Sequence, residues 1–295
     1  MIIIYIYKGG IHLGREGRKI KTLPPMNIVG TYFMPNRNGA SNQFTTKIDI
    51  TETDKYIHEK RRLGLKGLGL MHVLLTAYVR TVAQYPGINR YIRGQKIYAR
   101  KGIEMCLTIK KKMELDAQET VIKIPAEPNA NIHDIYKLTM DIIEDNRCEG
   151  DGNSMDAAAR IFTFIPSVLL KFTVWFLKFL DYFGMLPRFI TKISPFHGSM
   201  FITNMGSLGI PPVFHHLYDF GNIPIFFSLG KKQTEYITRK DGSVEKRKFV
   251  EITVVCDERI CDGHYYATAF KALNRYIEKA WLLENPPEKV IGDIK

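Results

Sequence analysis

The sequence predicts an α/β fold, in which helices pack on a mixed β-sheet. Short stretches with alternating polarity, typical of half-buried strands, recur between stretches whose apolar residues repeat every three or four positions, as in amphipathic helices. Interleaved strands and helices favour a layered fold of sheet and helices. Near its end, the chain has a predicted strand, a charged turn and a predicted helix. A turn of this kind often carries the side chains of a functional site. We call residues 256–263, Cys-Asp-Glu-Arg-Ile-Cys-Asp-Gly, the polar turn.

Composition narrows the class of protein. The 295 residues are 45% hydrophobic and 24% charged, so the chain has enough apolar material for a large core and the charge content of a folded protein. The net charge of +12 predicts an anionic partner. Because the basic residues are dispersed and no nucleic-acid-binding motif accompanies them, we expect no nucleic acid among the partners.

Cysteine usage and the N-terminus predict a cytoplasmic protein. The four cysteines show no zinc-like spacing, so we expect no metal, and a reducing compartment is the default without a signal peptide. The apolar residues 1–7 are too few to span a bilayer and are predicted to form an edge strand. Residues 8–35 are rich in Gly, Pro and basic residues. We therefore predict an irregular N-terminal arm with short strands at residues 1–34.

The remaining chain predicts one catalytic-type domain within residues 1–295, because we find no internal repeat and no long linker. Helices are predicted at residues 55–62, 70–85, 132–144 (with Asn131 as N-cap) and 264–283. Strands are predicted at residues 43–50, 96–98, 104–110, 120–124, 199–204, 223–229, 236–238 and 249–256. Asp241-Gly242 predicts a hairpin turn between the last two strands, and residues 145–153 are predicted to be a loop.

A dense apolar stretch from Ile161 to Phe183 interrupts this pattern, within an insert at about residues 155–195. Pro166 suits the first turn of a helix, and Lys171 and Lys178 fall on one face of it. The uncharged run is too short for a transmembrane helix. Two interpretations remain. The stretch is either a helix packed on the body of the protein or on a neighbouring subunit, or an interfacial helix at the periphery of a membrane or a wall that binds an acyl chain.

The polar turn resembles the signature Asp-His-Arg-x-x-Asp-Gly of the dihydrolipoyl acyltransferases, the core subunits of 2-oxo acid dehydrogenase complexes, and the related His-x-x-x-Asp-Gly of chloramphenicol acetyltransferase. Two further segments carry the resemblance. The run Phe201-Ile202-Thr203-Asn204-Met205-Gly206 is similar to that family's Phe-Thr-Ile-Ser-Asn-Leu-Gly, and the helix at 70–85 followed by Pro86-Gly87-Ile88-Asn89 is similar to its helix ending in Phe-Pro-x-Leu-Asn. No lipoyl domain is predicted.

The resemblance implies a chloramphenicol acetyltransferase-like two-layer sandwich that assembles as a homotrimer. It also implies an active site between subunits, with coenzyme A or acyl-coenzyme A as substrate and its phosphates as one anionic partner. The family's chemistry needs a base that takes the proton of the attacking group and a hydroxyl that stabilises the oxyanion. Thr203 stands at the hydroxyl position, and Asp262 matches the Asp before Gly and also suits a helix N-cap. Asp257 and Arg259 are predicted to form structural ion pairs.

Glu258 departs from the family pattern, because it stands where the resemblance expects the catalytic histidine. A thiol of pKa about 8.5 passes its proton to histidine against roughly 2.7 kcal/mol, and to glutamate against about 5.7 kcal/mol. The difference costs on the order of a hundredfold in rate unless burial raises the pKa of the carboxyl group. His264, directly after the polar turn, and His215-His216 are alternative bases, whereas Cys261 lacks a neighbouring histidine that would activate it.

The sequence therefore predicts a coenzyme A-dependent acyltransferase that moves an acyl group between a thioester and a thiol, hydroxyl or amine. The predicted site residues are Glu258, Thr203, Asp262 and His264. The alternative is a catalytically inactive trimeric homologue that binds coenzyme A or another subunit as a scaffold or regulator.

Overall fold

A six-stranded mixed sheet forms the centre of the protein, whose computed structural model describes residues 16–110, 119–148 and 163–295. The strands are β1 (Gly17–Lys19), β2 (Ser41–Asp49), β3 (Arg90–Arg93), β4 (Lys96–Arg100), β5 (Ile103–Lys110), β6 (Glu119–Ala126), β7 (Met200–Asn204), β8 (Ile225–Thr238) and β9 (Val244–Asp257). The helices are α1 (Pro25–Phe33), α2 (Thr51–Arg62), α3 (Leu70–Gln84), α4 (Ile132–Cys148), α5 (Ser167–Phe183), α6 (Arg188–Ile193) and α7 (Gly263–Glu278).

The strand order of the large sheet is β2-β9-β8-β7-β5-β6. Strand β7 runs parallel to both of its neighbours, β5 and β8, and the other pairs are antiparallel. Strands β1, β4 and β3 form a separate antiparallel sheet. The mixed sheet with covering helices confirms the predicted α/β class.

Helices α3 and α7 cover one face of the large sheet and form the main core with it. Aromatic rings link the two layers: the centroid of Phe227 on β8 lies 6.0 Å from that of Tyr78 on α3 and 6.1 Å from that of Phe270 on α7. The opposite face carries a smaller apolar cluster that includes Phe201, Phe226 and Leu217. This second face is covered by a chain segment rather than by a core helix, and it holds the cavity described below.

The sequence-based predictions of α2, α3, α4 and α7 are confirmed to within a few residues, except that α2 begins at Thr51. The hairpin of β8 and β9 also forms, with Gly242 at φ +82° in its turn. Two predictions were wrong, and one strand was missed. The N-terminal arm contains helix α1, residues 145–148 continue helix α4, and β3 was not anticipated. The predicted strand at residues 1–7 lies outside the described residues.

Helix α5 attaches to the body through its C-terminal half. The two carboxylate oxygens of Asp181 contact His197 Nε2 at 3.2 Å and the backbone N–H of Gly221 at 3.2 Å. Burial would raise the pKa of Asp181, but the hydrogen bond and charge of His197 outweigh it, and the pKa of Asp181 is lowered. No side chain of α5 is fully buried. Packing on the body therefore accounts for only one side of this helix.

Candidate active site

The polar turn is built on a buried ion cluster. Asp257, at the end of β9, is fully buried, and its carboxylate accepts hydrogen bonds from Arg259 Nε at 2.8 Å and Nη2 at 2.7 Å. Arg37 Nε lies 3.6 Å from the same carboxylate. Burial lowers the pKa of the Arg37 guanidinium, although Asp257 opposes that shift. The predicted structural ion pair of Asp257 and Arg259 is confirmed, and Arg37 is a member that the sequence did not indicate.

Asp262 caps helix α7. Its Oδ1 accepts a hydrogen bond from the backbone N–H of Tyr265 at 2.9 Å, which confirms the predicted N-cap. His264 follows in the first turn of the helix and its side chain is exposed. Asp262 thus has a structural task, and His264 faces solvent in the single protomer.

Glu258 lies between these two features with its side chain half-buried. Its backbone N–H donates to the carbonyl of Ala40 at 2.9 Å, and its Oε2 accepts a hydrogen bond from Asn42 Nδ2 at 2.8 Å. Asn42 stands on the neighbouring strand β2, opposite Cys256. The turn and the asparagine together fix the position of the carboxylate. Sequence analysis missed Asn42, since nothing local links it to a residue 216 positions away.

Thr203 lies on β7 at the edge of a cavity of about 640 Å³. Its side chain is half-buried. The cavity is lined by residues from α3, β5, β6, β7, β8 and the segment after β7, including Met71, Leu107, Phe201, Val213, His215, Tyr218 and Phe226. The hydroxyl group therefore borders a space large enough for a small substrate, with mostly apolar walls.

His215 lines the same cavity. Its ring stacks on Phe226 with centroids 4.1 Å apart, and Phe226 stacks on Phe201 at 5.0 Å. The Nδ1–H of His215 donates to the carbonyl of His216 at 2.8 Å, because a carbonyl only accepts. Burial lowers the pKa of the His215 imidazole. The neutral ring thus presents the lone pair of Nε2, so this residue of the predicted His215-His216 pair has the chemical form of a base.

A close backbone approach holds the segment that follows Thr203. A side chain on Gly206 would place its Cβ 2.4 Å from the carbonyl oxygen of Gly230 on β8, so only glycine fits there. The segment is fixed further by hydrogen bonds from the Lys231 N–H to the Ile210 carbonyl and from the Val213 N–H to Ser228 Oγ, both at 3.1 Å. The close approach of β8 therefore explains why glycine follows Met205 in the motif of residues 201–206.

The structure does not bring Thr203 and Glu258 together within one protomer. Thr203 pairs with Ser228 on β8, which pairs with Thr253 on β9, and Glu258 follows five positions along. Two strand spacings and five residues of extended chain separate the two side chains by roughly 20 Å. A site that uses both residues needs two copies of the chain.

The two cysteines of the polar turn are poor nucleophiles. Burial raises the pKa of the Cys256 thiol to about 12, and it raises the pKa of Cys261 further. Neither sulfur is a ready nucleophile near neutral pH. The described residues hold no group of three or more His, Cys, Asp or Glu side chains placed to bind a metal ion.

The fold belongs to a class with known members. The chain is similar to a probable dihydrolipoamide acetyltransferase from Listeria monocytogenes, with 14% identity and a TM-score of 0.55 over 88% of this chain and 95% of that one. It is also similar to the cubic core of the pyruvate dehydrogenase multienzyme complex (13% identity, TM-score 0.57, 90% and 94% covered). A chloramphenicol acetyltransferase matches with 14% identity and a TM-score of 0.51 over 85% and 94% of the two chains.

Part of the sequence also matches a family of acyltransferases. Residues 191–284 match the family model of the 2-oxoacid dehydrogenases acyltransferase (catalytic domain). The matched segment includes Thr203, the polar turn and helix α7. No curated protein matches the chain significantly. The chain therefore shares the fold of these acyltransferases, and the resemblance seen in its motifs is confirmed over residues 191–284.

Proposed function

We propose that the protein is a coenzyme A-dependent acyltransferase whose active site forms between protomers of a homotrimer. The observation that carries the proposal is the position of Thr203 on the wall of a 640 Å³ cavity, inside the segment that matches the acyltransferase model. The roughly 20 Å between Thr203 and Glu258 in one protomer supports a shared site, because a neighbouring copy can supply the second residue.

The proposed reaction uses one residue from each side of the interface. Glu258 of one protomer takes the proton of the acceptor's thiol, hydroxyl or amine. The acceptor then attacks the thioester carbonyl, and the Thr203 hydroxyl of the other protomer donates a hydrogen bond to the oxyanion. When the tetrahedral intermediate collapses, the carbon–sulfur bond breaks and the proton held by Glu258 passes to the departing coenzyme A thiolate. Atoms and charge balance without a further co-reactant.

The bond from Asn42 gives Glu258 a fixed orientation, which a base needs if it is to meet the acceptor's proton. His215 is the rival base, since it already shares the cavity with Thr203. If Glu258 is the base, its substitution removes the proton acceptor; if His215 is the base, substitution of His215 does. Comparing variants of the two residues therefore identifies the base.

The test measures release of the coenzyme A thiol from acyl-coenzyme A in the presence of a dithiol acceptor. We expect Glu258→Gln to lower kcat by about a hundredfold or more, as removal of a general base does. Thr203→Ala should lower it by on the order of a hundredfold, through loss of an oxyanion donor. Glu251, a half-buried glutamate on strand β9 just before the polar turn, provides the matched control: Glu251→Gln should leave the rate unchanged.

Two outcomes would redirect the assignment. If His215→Gln abolishes turnover while Glu258→Gln does not, the base is His215 and the site is complete within one protomer. If the wild-type protein turns over no acyl-coenzyme A with a thiol, hydroxyl or amine acceptor, the acyltransferase proposal fails. The second candidate, an inactive homologue that binds coenzyme A or another subunit, is favoured by Glu258 at the position expected for histidine.

A further inference from the structure

Helix α5 exposes its apolar side to solvent instead of burying it. Successive residues of an α-helix turn by about 100°, and on this basis one arc of about 140° contains only large apolar or aromatic residues. They are Val168, Leu169, Phe172, Trp175, Phe176, Phe179, Tyr182 and Phe183, each at least 42% exposed. We call these eight residues the aromatic face. A cluster of this size on a protein surface indicates an interaction site.

The side of α5 that contacts the body is the opposite one. Leu170, Leu177 and Leu180 are half-buried there, next to the Asp181 tether. Because these residues already provide the attachment, the body of the protein does not cover the aromatic face. Neighbouring rings in the face stack on one another, with Phe172 to Phe176 at 6.3 Å and Trp175 to Phe179 at 5.9 Å.

Positive charge borders this face, and helix α5 itself carries no exposed negative charge. Lys171 and Lys178 lie along one edge of it, and both are exposed. The one acidic residue of α5, Asp181, is turned into the body by His197 and Gly221. Lysines at the edge of an apolar helix can extend their charges to a polar layer while their stems stay on the apolar surface.

Helix α1 adds a second exposed apolar face beside the first. Met26 and Phe33 are 78% and 82% exposed, and α1 contains no acidic residue. Thr31 of α1 bonds to the carbonyl of Gln95 in the β3–β4 turn at 2.8 Å, and the backbone of Tyr182 lies against Gly94 of the same turn. Both helices thus flank one turn of the small sheet.

We infer that the aromatic face of α5 binds the surface of a membrane that contains anionic lipids, with α1 beside it. Tryptophan, tyrosine and phenylalanine on one side of a helix and lysines at its edge fit the boundary between acyl chains and anionic headgroups. No described helix is long and apolar enough to cross a bilayer, so the helix lies in the plane of the surface. The inference does not depend on acyl transfer.

Charge argues against a two-fold contact between two copies of the chain at this face. In a two-fold contact the same patch faces itself, so Lys171 and Lys178 of both copies come together. Neither α5 nor α1 offers an exposed carboxylate to neutralise them. An anionic bilayer supplies that neutralisation.

The test uses co-sedimentation of the full chain with vesicles of phosphatidylcholine alone or mixed with phosphatidylglycerol. We expect binding to the mixed vesicles, weaker binding to the neutral ones, and a decrease with added salt. Trp175→Ser combined with Phe179→Ser should abolish binding. Lys171→Ala and Lys178→Ala should each weaken it by about fivefold, and Lys246→Ala in the β8–β9 hairpin is the matched control.

Fluorescence locates the contact, because Trp175 and Trp281 are the two tryptophans of the chain. In Trp281→Phe, emission from Trp175 should shift to shorter wavelength when mixed vesicles are added. In Trp175→Phe, emission from the exposed Trp281 should not shift. Absence of vesicle binding overturns the inference. So does a Trp175 emission that is already blue-shifted in concentrated protein without lipid, which would assign the face to another protein chain.

Discussion

The two aspartates of the polar turn contribute differently to the stability of the folded protein. Asp257 is buried between two arginines, whereas Asp262 is exposed and bonds to one backbone N–H. Removing one partner of a buried ion cluster leaves uncompensated charge in a medium of low dielectric constant, which costs more than losing an exposed cap. The turn is therefore held mainly by its first aspartate.

We expect Asp257→Asn to lower the free energy of unfolding by about 3–5 kcal/mol, because the buried Arg37 and Arg259 lose their counter-charge. Asp262→Ala, which removes the N-cap bond, should cost about 1 kcal/mol. Urea unfolding followed by circular dichroism at fixed protein concentration measures both. Equal losses for the two variants would contradict this account of the buried cluster.

Sequence analysis predicts site residues well where their partners are close in the chain. The Asp262 cap and the Asp257–Arg259 pair both join residues at most three positions apart, and both were predicted. Asn42 and Arg37 reach the polar turn from the start of the chain, so only the pairing of β2 with β9 and the packing around it reveals them. The cavity at Thr203 is likewise assembled from six elements of the fold.

At the scale of elements, helix α3 begins with a hydrogen bond that depends on protonation. His72 Nδ1 accepts the backbone N–H of Gly69 at 3.1 Å. Burial lowers the pKa of His72 to about 4. Protonation of Nδ1 would remove this acceptor and place a charge in the core, so the folded protein keeps the ring neutral.

The pH dependence of stability follows from that lowered pKa. Between pH of about 6.5 and about 4 the unfolded chain binds a proton at His72 that the folded chain excludes, so stability falls as the pH falls through this window, by up to about 3 kcal/mol. His72→Gln keeps an acceptor at the third helical position without a titrating group. The variant should lose less stability than the wild type across the window, measured by urea unfolding at several pH values. Parallel curves would contradict the prediction.

Helix α1 was not predicted, because most of its apolar residues have no core to face. Helix α1 begins at Pro25, directly after Pro24, and contains Gly30. Only Thr31 of its nine residues is buried, so its sequence pattern resembled an irregular arm. Helices α3 and α7 were predicted because tertiary burial selects a regular apolar stripe on each of them. Helix α5 was predicted as a helix, but its orientation depends on the Asp181 tether to His197 and Gly221.

At the scale of the whole molecule, the sheet places the proposed base and the proposed oxyanion donor at distant ends of one protomer. The register β7–β8–β9 fixes that separation, and no side-chain movement spans roughly 20 Å. In a ring of identical copies, each interface can pair Glu258 of one protomer with Thr203 of the next. Activity would then be a property of the assembly.

This arrangement predicts complementation between two inactive variants. Glu258→Gln supplies an intact Thr203 and Thr203→Ala supplies an intact Glu258, so a trimer that contains both forms has some interfaces with both residues. After equimolar mixing under conditions that exchange protomers, about a quarter of the sites should be complete, and acyl-transfer activity should recover to about that fraction of the wild-type value.

Mixing either variant with a Glu258→Gln, Thr203→Ala double variant is the control and should restore nothing, because no interface then carries both residues. An affinity tag on one variant must retain the untagged other variant, which shows that protomers have exchanged. If they have and the mixture stays inactive while wild type turns over, the two residues do not act in one shared site, and a base within the Thr203 cavity, His215, becomes the candidate to examine.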